Sequence, residues 1–393
     1  MSKQEPPQQP IARLTLLTLA QDLGVSRATV SNAYNRPDQL SPALRARILS
    51  RAEELGFAGP DPVAAGLRRG RVGAVGVLVD EGLSHAFSDP TIVLLLDGLA
   101  RELQIDGLGL LLHTGRAEGD ALRPIRDAAV DAWVVLSLPD GHPAVSVVQA
   151  RGRPVVVLDQ PSLPAVPMVG IDDAAGAEAA VRHLLTIGHR RLAVLAMPLQ
   201  ADGREGRADL QRQGEASYAV MRRRLAGAAA AAADAGVSWD NVPVMESRAS
   251  DPDAGARAIA GLLSGPDAPT AVFACSDQLA LGVLWAARSL GLRVPEQLSV
   301  VGFDDSPSAR IAEPPLTTVA QPLRERGQAV GALVRALIAG EDAPPPTHHP
   351  VGLVVRGSTA PVPGPDPAGP AGPGRAAPRA RASRPPRRPR PCR

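Results

Sequence analysis

The sequence predicts an all-α helix-turn-helix headpiece, then a two-lobed α/β domain built on parallel sheets, then a disordered C-terminal tail. Three observations carry that expectation. Two short amphipathic segments flank Gly24 and a third follows them; short Val/Leu runs alternate with helical stretches between about residues 74 and 355; and Pro, Gly, Ala and Arg dominate from Val362 onward.

In the headpiece, Leu16, Leu19, Ala20 and Leu23 recur at the spacing of one helical stripe, with Thr15 as N-cap. Gly24 supplies the left-handed residue that closes the helix, and Ser26 caps a second one. On that second helix Val25, Val30, Ala33 and Tyr34 face inward, leaving Arg27, Ala28, Ser31 and Asn32 on the opposite side. A third helix starts at Ser41 and Pro42, packs through Leu44, Ile48, Ala52 and Leu55, and stops at Gly56. Such a unit places the N-terminal part of its second helix in the major groove, where an arginine fork fits guanine and an asparagine fits adenine. On composition alone a solvated helical hairpin is the rival reading. Residues 1–12 are expected to be disordered, 13–60 to form the headpiece and 61–70 a conditional hinge helix too short to stand alone in water.

From Gly73 the runs at 74–79, 108–112, 133–136, 154–158 and 168–171 read as strands buried on both faces, hence parallel. A second set lies at 192–195, 242–245, 271–274, 298–301 and 351–355. Helices are expected at 91–103, 175–187, 218–234, 252–263 and 278–290, and 200–216 reads as a long polar loop. Two such lobes enclose a cleft outside the carboxyl ends of their strands, where a small ligand sits.

The stretch LAQDLGVSRATVSNAYNRPDQLSPALRARILSRAEELGF resembles the headpiece of the lactose-repressor/galactose-repressor (LacI-type) family of bacterial transcription regulators. The resemblance continues in VGIDDAAGAEAAVRHLLTIGHRRLAVL, RLAGAAAAAADAG, FACSDQLALGVLWAARSLGLRVPEQLSVVGFDDSP and PPLTTVAQP. It implies that Ser26, Arg27, Ala28, Thr29, Ser31 and Asn32 lie at the DNA and that Leu67 wedges into the minor groove. It further implies a periplasmic-binding-protein-like domain over residues 71–361 with crossovers near Asp172, Gln321 and Pro350. The N-lobe would then take about 71–171 and 322–349, and the C-lobe about 172–320 and 350–361. Arg224, Ser276, Asp277, Asp304 and Gln321 match effector-contacting positions, and Phe87 and Asp89 in LSHAFSDP are further candidates. Asp61 stands where the family has Asn, Gly66 weakens a hinge helix by about 1 kcal/mol, and Ser250 falls where a sugar-stacking aromatic is expected. Each cleft candidate has a structural rival: Asp277 as a helix cap, Asp304 and Asp305 as a turn, Arg224 as a solvated surface charge.

Composition bounds the alternatives. Net charge is +3 over residues 1–70, −8 over 71–361 and +7 over 362–393, so basic charge sits at the two ends. A headpiece of +3 needs a dimer on two half-sites for useful affinity. Lys3 is the single lysine, which excludes a Walker A loop, and the seven histidines show no metal-ligand spacing. Cys275 and Cys392 are the only cysteines, and no apolar run suits a signal peptide or a membrane span. The expectation is therefore a cytoplasmic homodimer, or a tetramer of dimers, that binds a pseudo-palindromic double-stranded DNA operator and a small carbohydrate-like effector, with no catalytic residues, metal or cofactor. The rival is a solute-binding protein of the periplasmic type without a gene-regulatory role; the headpiece counts against it.

Overall fold

The computed structural model describes residues 15–59, 71–80, 82–115 and 122–362. The expected N-terminal arm, hinge and basic tail lie outside them, apart from Arg13, Leu14 and Pro60 at the headpiece edges, likewise outside, and Val362, whose amide donates to Ile187 O at 3.1 Å. The headpiece is three helices, α1 (Leu16–Leu23), α2 (Arg27–Asn35) and α3 (Pro42–Glu54). Leu19, Val30, Ala33, Ile48 and Ala52 are buried between them, and Tyr34 meets Phe57 edge-to-face at 6.1 Å. Thr15 and Thr18 close a reciprocal capping box, and Gly24 takes φ 65° as its turn requires. Three arginines of α3 secure the other two helices. Arg45 donates to Ala33 O, Arg47 to Leu23 O and Arg51 to Asp22.

The first α/β lobe begins with β1 (Ala74–Val79), α4 (Leu83–Ser88), α5 (Pro90–Leu103), β2 (Gly109–Thr114), α6 (Arg123–Asp127) and β3 (Ala132–Leu136). It continues with α7 (Pro143–Ala150), β4 (Val155–Leu158) and β5 (Met168–Ile171). The second lobe opens with α8 (Asp173–Thr186), β6 (Leu192–Ala196), β7 (Gly206–Arg207), α9 (Leu210–Gly214), α10 (Ala219–Asp234) and β8 (Val244–Glu246). Then come α11 (Pro252–Leu263), β9 (Ala271–Ala274), α12 (Asp277–Ser289), β10 (Ser299–Asp304), α13 (Pro307–Ile311) and β11 (Thr317–Ala320). The chain returns to the first lobe for α14 (Leu323–Ala339) and β12 (Thr347–His349), and ends in the second with β13 (Gly352–Val354).

One sheet runs β12-β5-β4-β3-β1-β2, all parallel; the other runs β13-β11-β10-β9-β6-β8-β7, antiparallel only at its two edges. The chain thus passes between sheets after β5, after β11 and after β12. Continuous burial of β1, β3, β6, β9 and β10 reflects helices on both faces. Where α5 meets α14 the backbones touch through Gly98 and Gly327: a Cβ on either would lie 2.1 Å from a carbonyl oxygen of the facing helix.

Several elements escaped the sequence reading. The 200–216 stretch is not a loop, because it holds β7 and α9 and is anchored by Arg212, which is 7% exposed and bonded to Asp202 and Glu246. α14 was not anticipated because its buried face is Leu323, Arg326, Gly327, Val330, Gly331 and Val334, a stripe broken by glycine and a charge. β11 and β12 are short and threonine- or histidine-rich, and so lack an apolar run.

Candidate functional site

At the headpiece, Ser26 caps α2 by accepting the Thr29 amide at 2.9 Å, which places the first turn of the helix on the surface. Arg27 and Ala28 are exposed there, while Thr29, Ser31 and Asn32 are half-buried. Asn32 donates to Gln39 Oε1 at 3.2 Å, and Asn35 donates to Ser31, so two of the polar candidates are held while Arg27 makes no ion pair among the described residues. The helix is presented with its arginine foremost. Leu67 lies outside the described residues.

Between the lobes is a cavity of about 170 Å³. Its first-lobe wall comes from strand ends: Asp80 after β1, Ser137 after β3, and Asp159 and Gln160 after β4, with Asp89 and Thr91 from the start of α5 and Arg326 from α14. The second-lobe wall is built the same way, from Met197 after β6, Ser250, Ser276 after β9, Asp304 closing β10 and Gln321 after β11, with Tyr218, Val220 and Arg224 from α10. The register of parallel strands therefore collects their first polar residues at one edge.

Arg224 is 5% exposed, so the solvated-charge reading does not hold. Its Nε donates to Asp173 Oδ1 at 2.9 Å, its terminal nitrogen to Cys275 O at 2.5 Å, and its guanidinium lies 3.7 Å from the Phe303 ring centroid. Burial opposes its charge, yet the Asp173 and Asp304 carboxylates hold its pKa above the ordinary arginine value. Asp304, at φ 123°, ends its strand in a turn and also faces the cavity, accepting from Gln321 Nε2 at 2.6 Å. Burial raises its pKa well above the usual carboxylate range, the Asp277 carboxylate adds to the effect, and Arg224 opposes it. Burial likewise pushes the Cys275 thiol up to about 12, so it stays protonated.

A relay crosses from lobe to lobe. Arg326, 1% exposed, donates to Asp159 and to Gln321 Oε1, and Gln321 passes the contact on to Asp304. Nearer the mouth Tyr218 donates to Asp80, the Val220 amide donates to Gln160 Oε1 at 2.8 Å, and Arg222 pairs with Asp140 at 2.7 Å.

Of the effector candidates, Asp89, Arg224, Ser276, Asp304 and Gln321 line this cavity, as does Ser250, bonded to Ser276 at 3.1 Å. Two candidates are elsewhere. Phe87 is 67% exposed on α4, where Ala86 takes the buried position instead. Asp277 is fully buried away from the cavity, and Ser276, not Asp277, caps α12. The Asp277 carboxylate instead accepts the Ser306 amide at 2.7 Å and the Thr318 hydroxyl at 2.5 Å, locking the turn after β10. Asp80, Asp159, Gln160, Tyr218 and Arg326 were missed. The first three are each the first or second polar residue after a buried strand, a rule that finds them; Arg326, inside a helix, gives no such signal.

A helix-turn-helix unit in one chain with a two-lobed ligand cleft defines a DNA-binding transcription regulator. The profile of the periplasmic binding protein-like domain matches residues 181–359. An HTH-type transcriptional regulator of Mycobacterium tuberculosis is 42% identical over 329 residues, spanning 83% of this chain and 91% of that one. Among solved structures, the transcriptional regulator CelR in complex with cellobiose is 31% identical with a TM-score of 0.65, covering 88% of this chain and 100% of that one. The lac repressor dimer bound to operator and the anti-inducer ONPF is 25% identical with a TM-score of 0.73, covering 88% and 99%. The chain belongs to the LacI family of transcriptional regulators. No helix among the described residues is long and apolar enough to cross a membrane.

Proposed function

We propose that the protein is a repressor that acts as a homodimer, reads a pseudo-palindromic operator through the α2 helices of two headpieces, and is tuned by a small carbohydrate-like effector in the interlobe cleft. Ser26, Arg27, Ala28, Thr29, Ser31 and Asn32 form the reading face, with Leu67 as the minor-groove wedge. Asp89, Arg224, Ser276, Asp304 and Gln321 contribute to the effector site. The observation that carries the reading is the cleft itself, where polar side chains of both lobes meet around one cavity and bond across it. A molecule bound there contacts both lobes, so its affinity depends on the angle between them. Such differential affinity is the only means by which a ligand shifts a conformational equilibrium, and couplings of about 1–3 kcal/mol are typical. The test is selection of an operator from random DNA, followed by titration of the complex with candidate effectors. A selected site with two-fold symmetry, released or tightened 5- to 150-fold by a ligand, is the expected result; selection that yields no common sequence contradicts it.

The lac repressor structure is that of a dimer, and this chain carries a surface suited to the same assembly. Trp285 and Ile311 are 48% and 82% exposed beside Leu281 and Leu284. Exposed Arg288 and Glu313 flank them 3.8 Å apart. An apolar centre with opposite charges at its rim is self-complementary about a two-fold axis. Trp285→Arg is expected to give monomers in sedimentation and to lose operator affinity without unfolding; dimers of wild-type stability would place the interface elsewhere.

A further inference from the structure

Charge in the cleft is already matched from within. Among the described residues, the charged groups lining the cavity are Asp80, Asp89, Asp159, Asp304, Arg224 and Arg326. Arginines in a ligand cleft ordinarily point to a phosphate or a carboxylate. Here both forks are spent: Arg326 on Asp159 and Gln321, and Arg224 on Asp173 and the Cys275 carbonyl, with its face against Phe303.

The carboxylates are engaged as well. Asp159 takes Arg326 and the Ser137 hydroxyl at 3.1 Å. Asp80 accepts from Tyr218. Asp89 caps α5 through the Thr91 amide at 2.8 Å and lies 3.6 Å from His85. Asp304 accepts from Gln321, and its burial favours the uncharged form. A phosphate or carboxylate entering this cavity would meet acceptor oxygens and no unspent cation, and an ammonium would meet no unspent carboxylate; in a desolvated site an unpaired charge is strongly disfavoured.

What the walls offer is acceptor capacity. Each carboxylate oxygen can take more than one hydrogen bond, and the Ser250 and Ser276 hydroxyls add two adaptable partners. Leu95, Leu136, Met197 and Val220 supply apolar wall between them. At about 170 Å³ the cavity is below the roughly 300–1,000 Å³ typical of drug-sized ligands.

We infer that the effector is an uncharged, hydroxyl-rich molecule of single-ring size, and that the cleft rejects its phosphorylated, carboxylated and aminated counterparts. This rests on the reading that the cleft is the effector site. Discrimination comes from internal pairing, since the arginines that would welcome an anion are held by Asp159 and Asp173.

The experiment is calorimetric titration of the full-length protein with matched compounds: D-glucose, D-ribose, D-galactose and myo-inositol, then glucose 6-phosphate, ribose 5-phosphate, glucuronate, glucosamine and cellobiose. The expected result is that at least one uncharged single-ring compound binds, and that charged or two-ring compounds bind at least 100-fold more weakly. A charged compound or cellobiose binding within tenfold of the best single-ring polyol overturns the inference, as does binding by none of the four uncharged rings. The two readings fail separately: a charged ligand that shifts operator affinity leaves the regulator standing and sinks this inference, while a neutral ligand that binds without shifting operator affinity does the reverse. Asp159→Asn adds a second arm. Asn tolerates the left-handed φ of 69° at that position, and the exchange releases Arg326, so the phosphorylated compounds are expected to gain at least tenfold relative to wild type. A folded D159N protein that gains nothing toward phosphate shows that Arg326 is not what Asp159 withholds, and overturns the internal-pairing argument.

Discussion

Arg224→Ala is expected to destabilise the second lobe by about 3–5 kcal/mol, because removing one partner of a buried ion pair strands the other. Asp173, 1% exposed, would lose its buried partner and keep only Arg223 at the surface side, the Cys275 carbonyl would lose a donor, and the Phe303 ring would lose its cation. The melting temperature should fall by roughly 10 °C, and the effector response should vanish with it. Melting unchanged from wild type would show that the pair is not structural. Asp304→Asn separates the two effects. Its carboxyl is raised in pKa by burial, and Asp277 beside it is raised to about 6, with burial again the leading cause. Such groups bind protons more readily in the folded than in the unfolded chain. They therefore lower stability as pH climbs from about 4 through 6, and return it on acidification. Asp304→Asn is expected to be at least as stable as wild type at pH 7, to show a shallower gain between pH 7 and 6, and to lose effector binding. A variant that keeps wild-type effector affinity would remove Asp304 from the site.

Arg27→Ala is expected to carry the largest cost in DNA binding. A bidentate arginine to guanine contributes about 1–3 kcal/mol of discrimination, and a symmetric dimer reads it twice, so the loss on an operator should reach about 2–6 kcal/mol, roughly 30-fold to 10,000-fold. The Ser26 cap and the exposed first turn of α2 put this side chain foremost, and no ion pair among the described residues must be broken to use it. The loss should be confined to one base pair per half-site, whereas a phosphate contact would weaken all sequences alike and reduce the salt dependence. Selection from random sites at fixed salt decides. An unchanged base preference would mean that Arg27 does not read bases.

The headpiece was legible because each device in it is local: Thr15, Gly24, Ser26 and Ser41 do in three dimensions what their spacing announces. The buried strands were legible for a similar reason, as β1, β5 and β9 are unbroken apolar runs. Function in the cleft was only half legible. Arg224, Asp304 and Gln321 were found by resemblance, but what Arg224 touches depends on Asp173, Cys275 and Phe303, which come from three other segments. Asp277 shows the opposite failure: next to a helix start it reads as a cap, yet Ser276 takes that role and frees Asp277 to hold a distant turn. Phe87 was a candidate because aromatic rings suit sugar sites, but one helical step, about 100°, separates its outward face from that of buried Ala86. Arg326 was invisible because a charge at a helix interior position normally faces solvent, and only the close glycine contact of α14 with α5 brings it under the cleft.

The central claim is that the cleft and the reading helices are coupled, and linkage makes it directly measurable. The affinity of one effector, found by titration, is measured by calorimetry on the free protein and on the protein saturated with its selected operator. The account requires the two values to differ by the same factor, between about 5-fold and 150-fold, by which that effector changes operator affinity. Equal effector affinity with and without operator would contradict it, and would leave two binding units that share a chain without acting on each other.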